Sequence, residues 1–143
     1  MRPKLILIVD DDHEDIELFK EVVEEIDSEI ECITASDGIE ALEVLSGLKT
    51  YPDYIFLDMN MPRLNGKQCL ARLKENQELN HICVIIYTTS KLTSDMEETK
   101  ALGASYFLTK PARFEDIKAV VNHIITDVKI KPSTNLTKFL MEL

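Results

Sequence analysis

Short apolar runs bounded by charge recur along the chain: Leu5–Val9 (LILIV), Tyr54–Leu57 (YIFL), 83–87 (CVIIY) and 106–108 (YFL), with a more mixed run at 30–35. Runs that are apolar at every position mark strands covered on both faces. Between them the apolar residues recur every three or four positions, the period of a helix with one buried face. Ile16, Phe19, Val23 and Ile26 stand among acids and predict the first helix. Ser36 or Asp37 supplies a cap for a second helix carrying Ala41, Leu42 and Leu45, which Gly47 ends. Pro62 and Asn65-Gly66 mark a loop, and 67–77 follows as a helix with Leu70 and Leu73 inward. Ser94-x-x-Glu97 reads as a capping box for a helix ending near Leu102-Gly103. Phe114, Ile117, Val120, Val121, Ile124 and Ile125 form the last amphipathic helix.

Five strands alternating with five helices predict an α/β, doubly wound parallel sheet with helices on both faces and right-handed crossovers. No internal repeat or low-complexity segment interrupts the alternation. Residues 1–127 read as one domain, and 128–143 as a C-terminal tail. In the tail, Lys131-Pro132 stops the preceding helix, and Ser133 or Thr134 could cap one short final helix. Phe139, Leu140, Met141 and Leu143 make the tail apolar. It is therefore expected to pack on the domain or to contact a partner or a second copy.

With 143 residues, 45% apolar and 29% charged, the chain has an ordinary globular composition. No run approaches the ~18 apolar residues of a membrane span, and no secretory leader is expected. The net charge of −10 argues against a nucleic-acid binder. Cys32, Cys69 and Cys83 form no CxxC motif, and His13, His81 and His123 have no ligand-like spacing. Neither a disulfide framework nor a zinc site is expected, and a cytoplasmic setting with reduced thiols follows. Cys32 and Cys83 read as strand core, Cys69 as a helix residue, and Tyr87 as packing. The acids are concentrated at the front, with 12 acids against 3 bases over residues 1–31. A solvated helix face explains most of them, but not Asp10, Asp11 and Asp12 directly after the first strand.

Ligands of an open parallel sheet bind beyond the carboxyl ends of its strands. There the first strand delivers Asp10, Asp11 and Asp12, the third Asp58, the fourth Thr88, Thr89 and Ser90, and the fifth Thr109 and Lys110. Two unit charges about 4 Å apart repel by about 4 kcal/mol at an effective dielectric of ~20, so such carboxylates call for a cation, or one of them must hold a proton. Oxygen donors without His or Cys suit a hard divalent ion, Mg²⁺ above all. Lys110 adds a second positive charge and Thr88 a hydroxyl donor. A carboxylate nucleophile with a metal, a lysine and a hydroxyl is the equipment of phosphoryl transfer.

LILIVDDD, YIFLDMNMPRLNG, VIIYTTS and GASYFLTKP stand in this order over about residues 3–126. Together they resemble the receiver domain of two-component response regulators. The resemblance implies a flavodoxin-like (βα)5 fold with strand order 2-1-3-4-5. It implies that Asp10 and Asp11 hold Mg²⁺ with Asp58 and the backbone carbonyl of Asn60. It makes Asp58 the phospho-acceptor, and Thr88 and Lys110 the groups that meet the phosphoryl group. Thr88 and Phe107 become the switch residues, and Lys110-Pro111 matches a pair often joined by a cis bond. Asp12 is left as a loop acid and His13 as a solvated loop residue.

Phe107 lacks the hydroxyl of a Tyr-type switch, and Thr89 is larger than the usual Ala or Ser, but no group that the reaction needs is missing. The implied function is a stand-alone receiver phosphorylated by a sensor histidine kinase or histidine phosphotransfer protein, with only self-phosphorylation and autodephosphorylation chemistry of its own. Its output would pass to a downstream protein or a second copy. Two alternatives use the same groups. A haloacid-dehalogenase-type phosphatase needs a general-acid Asp where Asn60 stands. A degenerate receiver would bind partners without phosphorylation.

Overall fold

The computed structural model describes residues 5–126 and 138–143. The alternation seen in the sequence becomes β1 (Leu5–Val9), α1 (His13–Ile26), β2 (Glu31–Ala35), α2 (Gly38–Ser46), β3 (Tyr54–Leu57), α3 (Gly66–Glu75), β4 (Cys83–Thr88), α4 (Thr93–Ala101), β5 (Tyr106–Thr109) and α5 (Phe114–Thr126). A further strand, β6 (Leu140–Glu142), follows. The sheet order is β2-β1-β3-β4-β5-β6. The expected parallel order 2-1-3-4-5 is present and β6 is added to its edge. β6 runs antiparallel to β5, pairing Tyr106 with Glu142, Phe107 with Met141 and Leu108 with Leu140.

Successive strand residues point to opposite faces, so each apolar run feeds two cores. Leu7, Val9, Ile55, Leu57, Val84, Ile86 and Phe107 pack with α2 and α3 on one side. Ile6, Ile8, Phe56, Ile85, Tyr87 and Leu108 pack with α1 and α5 on the other. This two-sided burial is why the strands lack alternation.

Local chemistry sets the helix starts. Asp12, expected to be a loop acid, caps α1 by accepting the N–H groups of Glu14 and Asp15. Asp37, not Ser36, caps α2, while Ser36 Oγ donates to Glu40. Asn65 and Gln68 form a reciprocal capping box on α3.

Several expectations need correction. No capping box forms at Ser94-Glu97, because α4 begins at Thr93, two residues before a Ser94 cap would start it, and its cap position Leu92 has no side-chain bond. Ser90 Oγ serves instead, accepting Leu92 N–H at 3.2 Å and donating to Asp95. Every peptide bond among the described residues is trans, Lys110–Pro111 included. At the carboxyl terminus, Leu140–Glu142 is a strand rather than part of a short helix, because the open edge of β5 offers it main-chain partners. The proposed caps Ser133 and Thr134 lie outside the described residues. Cys69 is fully buried, whereas Cys32 and Cys83 are only half-buried. Burial pushes the Cys32 and Cys69 thiols up to about 12, so neither is a ready thiolate.

Candidate functional site

The parallel register fixes which side chains meet. Asp10 and Asp58 each follow the last residue of a neighbouring strand, and Val9 is paired with Leu57. Both acids continue the ladder by one bond: Asp10 N–H donates to Ala35 O at 3.0 Å, and Asp58 N–H to Val9 O at 2.9 Å. Lys110 likewise extends β5, its N–H donating to Thr88 O at 2.7 Å. The three side chains therefore rise from the same edge of the sheet into one pocket, with β4 between the strands of Asp58 and Lys110.

Asp58 is held from below by Gly66. A Cβ on Gly66 would stand 2.2 Å from the Asp58 carbonyl oxygen, so only glycine lets the α3 amino terminus come this close. Gly66 N–H closes the loop on Met59 O at 2.9 Å. The far side of the loop is docked on α2, where Gly38 N–H donates to Leu64 O and the Arg63 guanidinium grips the Asp37 carboxylate.

One carboxylate oxygen each from Asp10, Asp11 and Asp58 lie within 4.8 Å of one another. Asp10 is fully buried, Asp58 nearly so and Asp11 exposed. Asp10 Oδ1 accepts Asp12 N–H at 3.0 Å, and Asp58 Oδ1 accepts Met59 N–H at 2.8 Å. Lys110 Nζ lies 2.6 Å from Asp10 Oδ2, 2.8 Å from Asp15 Oδ2 and 3.8 Å from Asp58 Oδ2. It also stands 5.3 Å from the centre of the Tyr87 ring, which packs with Phe19 and Phe56. Tyr87 is thus the packing residue its apolar run suggested, and its ring also faces the Lys110 ammonium.

Burial pushes the Asp58 carboxyl up to about 6; Lys110 pulls it down, and the Asp10 charge pushes it further up. Burial works against the Lys110 ammonium, yet its hydrogen bonds to Asp10 and Asp15 carry it above its ordinary value. One ammonium thus faces the three clustered carboxylates and Asp15, leaving an excess of negative charge in a largely dehydrated pocket. All the donors are carboxylate oxygens, so the set fits a hard divalent cation and not a thiolate- or imidazole-seeking one.

Thr88 is fully buried, and its Oγ1 accepts Ser90 N–H at 3.3 Å. Thr89 points to solvent. Phe107 is fully buried in the α2–α3 core, with Leu143 of the tail against that core. Asn60 is exposed on the loop after Asp58, and His13 is exposed at the start of α1. Sequence reasoning missed two groups. Asp15 looks like one of the solvated acids in the sequence, although its place in the first turn of α1 puts it on the same edge as Asp11. The Lys67 ammonium bridges Asp95 and Glu98 of α4 at 2.8 and 2.6 Å, tying α3 to the turn that Ser90 holds.

Comparison with known proteins agrees with this geometry. The response regulator receiver domain profile matches residues 6–122. Response regulator Rcp1 of Synechocystis sp. is 33% identical over 127 residues, covering 85% of this chain and 86% of that protein. The crystal structure of the Mn²⁺-bound form of Rcp1 superposes with a TM-score of 0.79 at 29% identity, over 90% of this chain and 99% of that one. That of a phosphorylated cyanobacterial phytochrome response regulator, RcpA, does so with a TM-score of 0.80 at 29% identity, over 91% and 99%. The fold, the acid cluster at its strand ends and the match over most of the chain lead to one conclusion: this protein belongs to the response regulator receiver-domain family.

Proposed function

We infer that Asp58 is the phospho-acceptor of this receiver and that Asp10, Asp11 and Asp58, with the Asn60 carbonyl, hold Mg²⁺. A carboxylate oxygen of Asp58 attacks the phosphorus of a phosphohistidine on a sensor kinase or phosphotransfer protein. The new O–P bond replaces the P–N bond, and the imidazole, already carrying a proton from solvent on its other ring nitrogen, leaves with the P–N electron pair as the neutral base. The ion would neutralise charge on the transferring oxygens. Lys110, from β5, supplies a second positive charge at the same group. Thr88 has its own hydroxyl proton to give to a phosphoryl oxygen, because its Oγ1 only accepts in the unphosphorylated site. Rearrangement about Thr88 and Phe107 would then carry the signal to a protein contact, with a downstream protein or a second copy of the chain. The chain's own chemistry is confined to taking up and losing this phosphoryl group.

The observation that carries this reading is the convergence of Asp10, Asp11, Asp58 and Lys110 at the carboxyl ends of β1, β3 and β5. Among the described residues no helix is long and apolar enough to cross a membrane. Together with the unpaired cysteines, this supports a cytoplasmic setting. Intact-mass spectrometry after incubation with Mg²⁺ and an acyl phosphate tests the assignment. Wild type should gain one phosphoryl group, and neither Asp58→Asn nor wild type in excess chelator should gain any. Uptake by Asp58→Asn would place the acceptor elsewhere. No uptake by wild type, from this donor or from a phosphohistidine protein, would favour a phosphorylation-independent binding module.

A further inference from the structure

Asp15 has no part in the reading above. It lies in the first turn of α1, where its N–H donates to the Asp12 cap at 3.3 Å. Its side chain, 34% exposed, reaches across to Lys110 Nζ at 2.8 Å, while the lysine side chain is only 9% exposed. The ammonium is therefore bonded by two carboxylates, Asp10 and Asp15, and Asp58 stands beyond hydrogen-bond distance at 3.8 Å.

Asp10 has conflicting duties. Oδ1 accepts the Asp12 N–H and Oδ2 holds Lys110 at 2.6 Å, yet the same carboxylate belongs to the trio suited to a divalent ion. An ammonium and a divalent ion on one carboxylate repel each other strongly in a buried pocket. Lys110 therefore needs another partner when the ion arrives. Asp15 is that partner: it lies outside the trio and already touches the ammonium.

We propose that Asp15 is a positioning residue, the counter-ion that keeps Lys110 seated on the α1 side of the pocket so that Asp10 and Asp58 are free to take a divalent cation. The proposal rests on reading the acid trio as a metal site. It predicts that a residue that is not a ligand controls metal affinity through Lys110.

Calorimetric titration of the full chain with MgCl₂ tests it in a double-mutant cycle. Asp15→Asn should weaken Mg²⁺ binding about five- to tenfold, because the ammonium falls back on Asp10 and Asp58. Lys110→Ala should tighten binding. In the Lys110→Ala background, Asp15→Asn should change affinity less than about twofold, since the residue it acts through is gone. Asp15→Glu, which keeps the charge, should restore binding to within about threefold of wild type. Thermal unfolding of Asp15→Asn, run alongside, reads its effect on the first turn of α1 separately. An equal loss in both backgrounds would make Asp15 a distant charge only, and no loss would make it a helix-turn acid only; either overturns the proposal. A wild type that takes up no Mg²⁺ removes the metal reading and this inference with it. Mg²⁺ binding that is indifferent to Asp15 removes the inference alone.

Discussion

Replacing Asp58 with Asn should make the protein more stable, by an amount that depends on pH. The pocket penalises ionisation of this carboxyl: burial and the Asp10 charge outweigh Lys110 and raise its pKa from 3.8 to about 6. The folded protein thus holds the Asp58 proton more tightly than the unfolded chain does. Stability from this group is intact at low pH and falls as pH rises through the window from about 4 to about 6. A shift of roughly two units at about 1.4 kcal/mol each comes to about 3 kcal/mol. Asn keeps an acceptor for the Met59 N–H and never ionises. Urea unfolding in chelator should therefore find the two proteins nearly equal at about pH 4, and the variant ahead by about 2–3 kcal/mol at about pH 7. Taking the difference between the proteins cancels groups that titrate alike in both. Mg²⁺ should then narrow the gap, because an ion that binds folded wild type more tightly than the variant, which has lost one carboxylate of the trio, stabilises wild type more by mass action. A gap that is constant from pH 4 to pH 7, or of opposite sign, would refute the idea that Asp58 sits in an electrostatically unfavourable pocket.

Gly66→Ala should cost more than about 2 kcal/mol, because the added methyl meets the Asp58 carbonyl oxygen and the Met59 Cα at 2.2 and 2.7 Å. Urea unfolding and Mg²⁺ titration should show stability and binding lost together; stability near that of wild type would mean that the loop yields freely. Deleting 138–143 should cost about 2–3 kcal/mol through the half-buried Phe139, Leu140 and Leu143 and the bonds Thr109 N–H to Phe139 O and Leu143 N–H to Ser105 O. An unchanged unfolding midpoint would mean that the strand adds nothing to the sheet.

The parts of the fold legible in the sequence are those whose burial leaves a pattern. β1, β3 and β4 are covered on both faces, and their uninterrupted apolar runs could be little else. α1 and α5 each bury one continuous stripe. α4 is different: Thr99 is its one buried residue, so no hydrophobic period constrains its start, and the Ser-x-x-Glu pattern imitates a cap. β6 failed for a related reason. Three residues on a sheet edge have no period of their own, and their partner, β5, lies some thirty residues upstream. The apolar tail could be seen to need cover, but not to find it as main-chain pairing.

At the site, the parallel sheet explains what was legible. Residues that end neighbouring parallel strands must emerge side by side, so Asp10, Asp58, Thr88 and Lys110 could be brought together before any distance was known. Which group satisfies which does not follow from that rule. Lys110, expected to meet the phosphoryl group, stands 3.8 Å from Asp58 Oδ2, while its hydrogen bonds go to Asp10 and Asp15, on either side of the Asp11 turn. Asp15 could not be told from its acidic neighbours by type. Glu14 and Glu17 are exposed on the same helix, whereas Asp15 is drawn inward by an ammonium supplied from 95 positions away. Pairing of charges in a crowded pocket depends on reach and desolvation at ångström scale, and a strand-end rule fixes neither. The residues that set the readiness of such a site can therefore lie one helical turn outside the motif that identifies it.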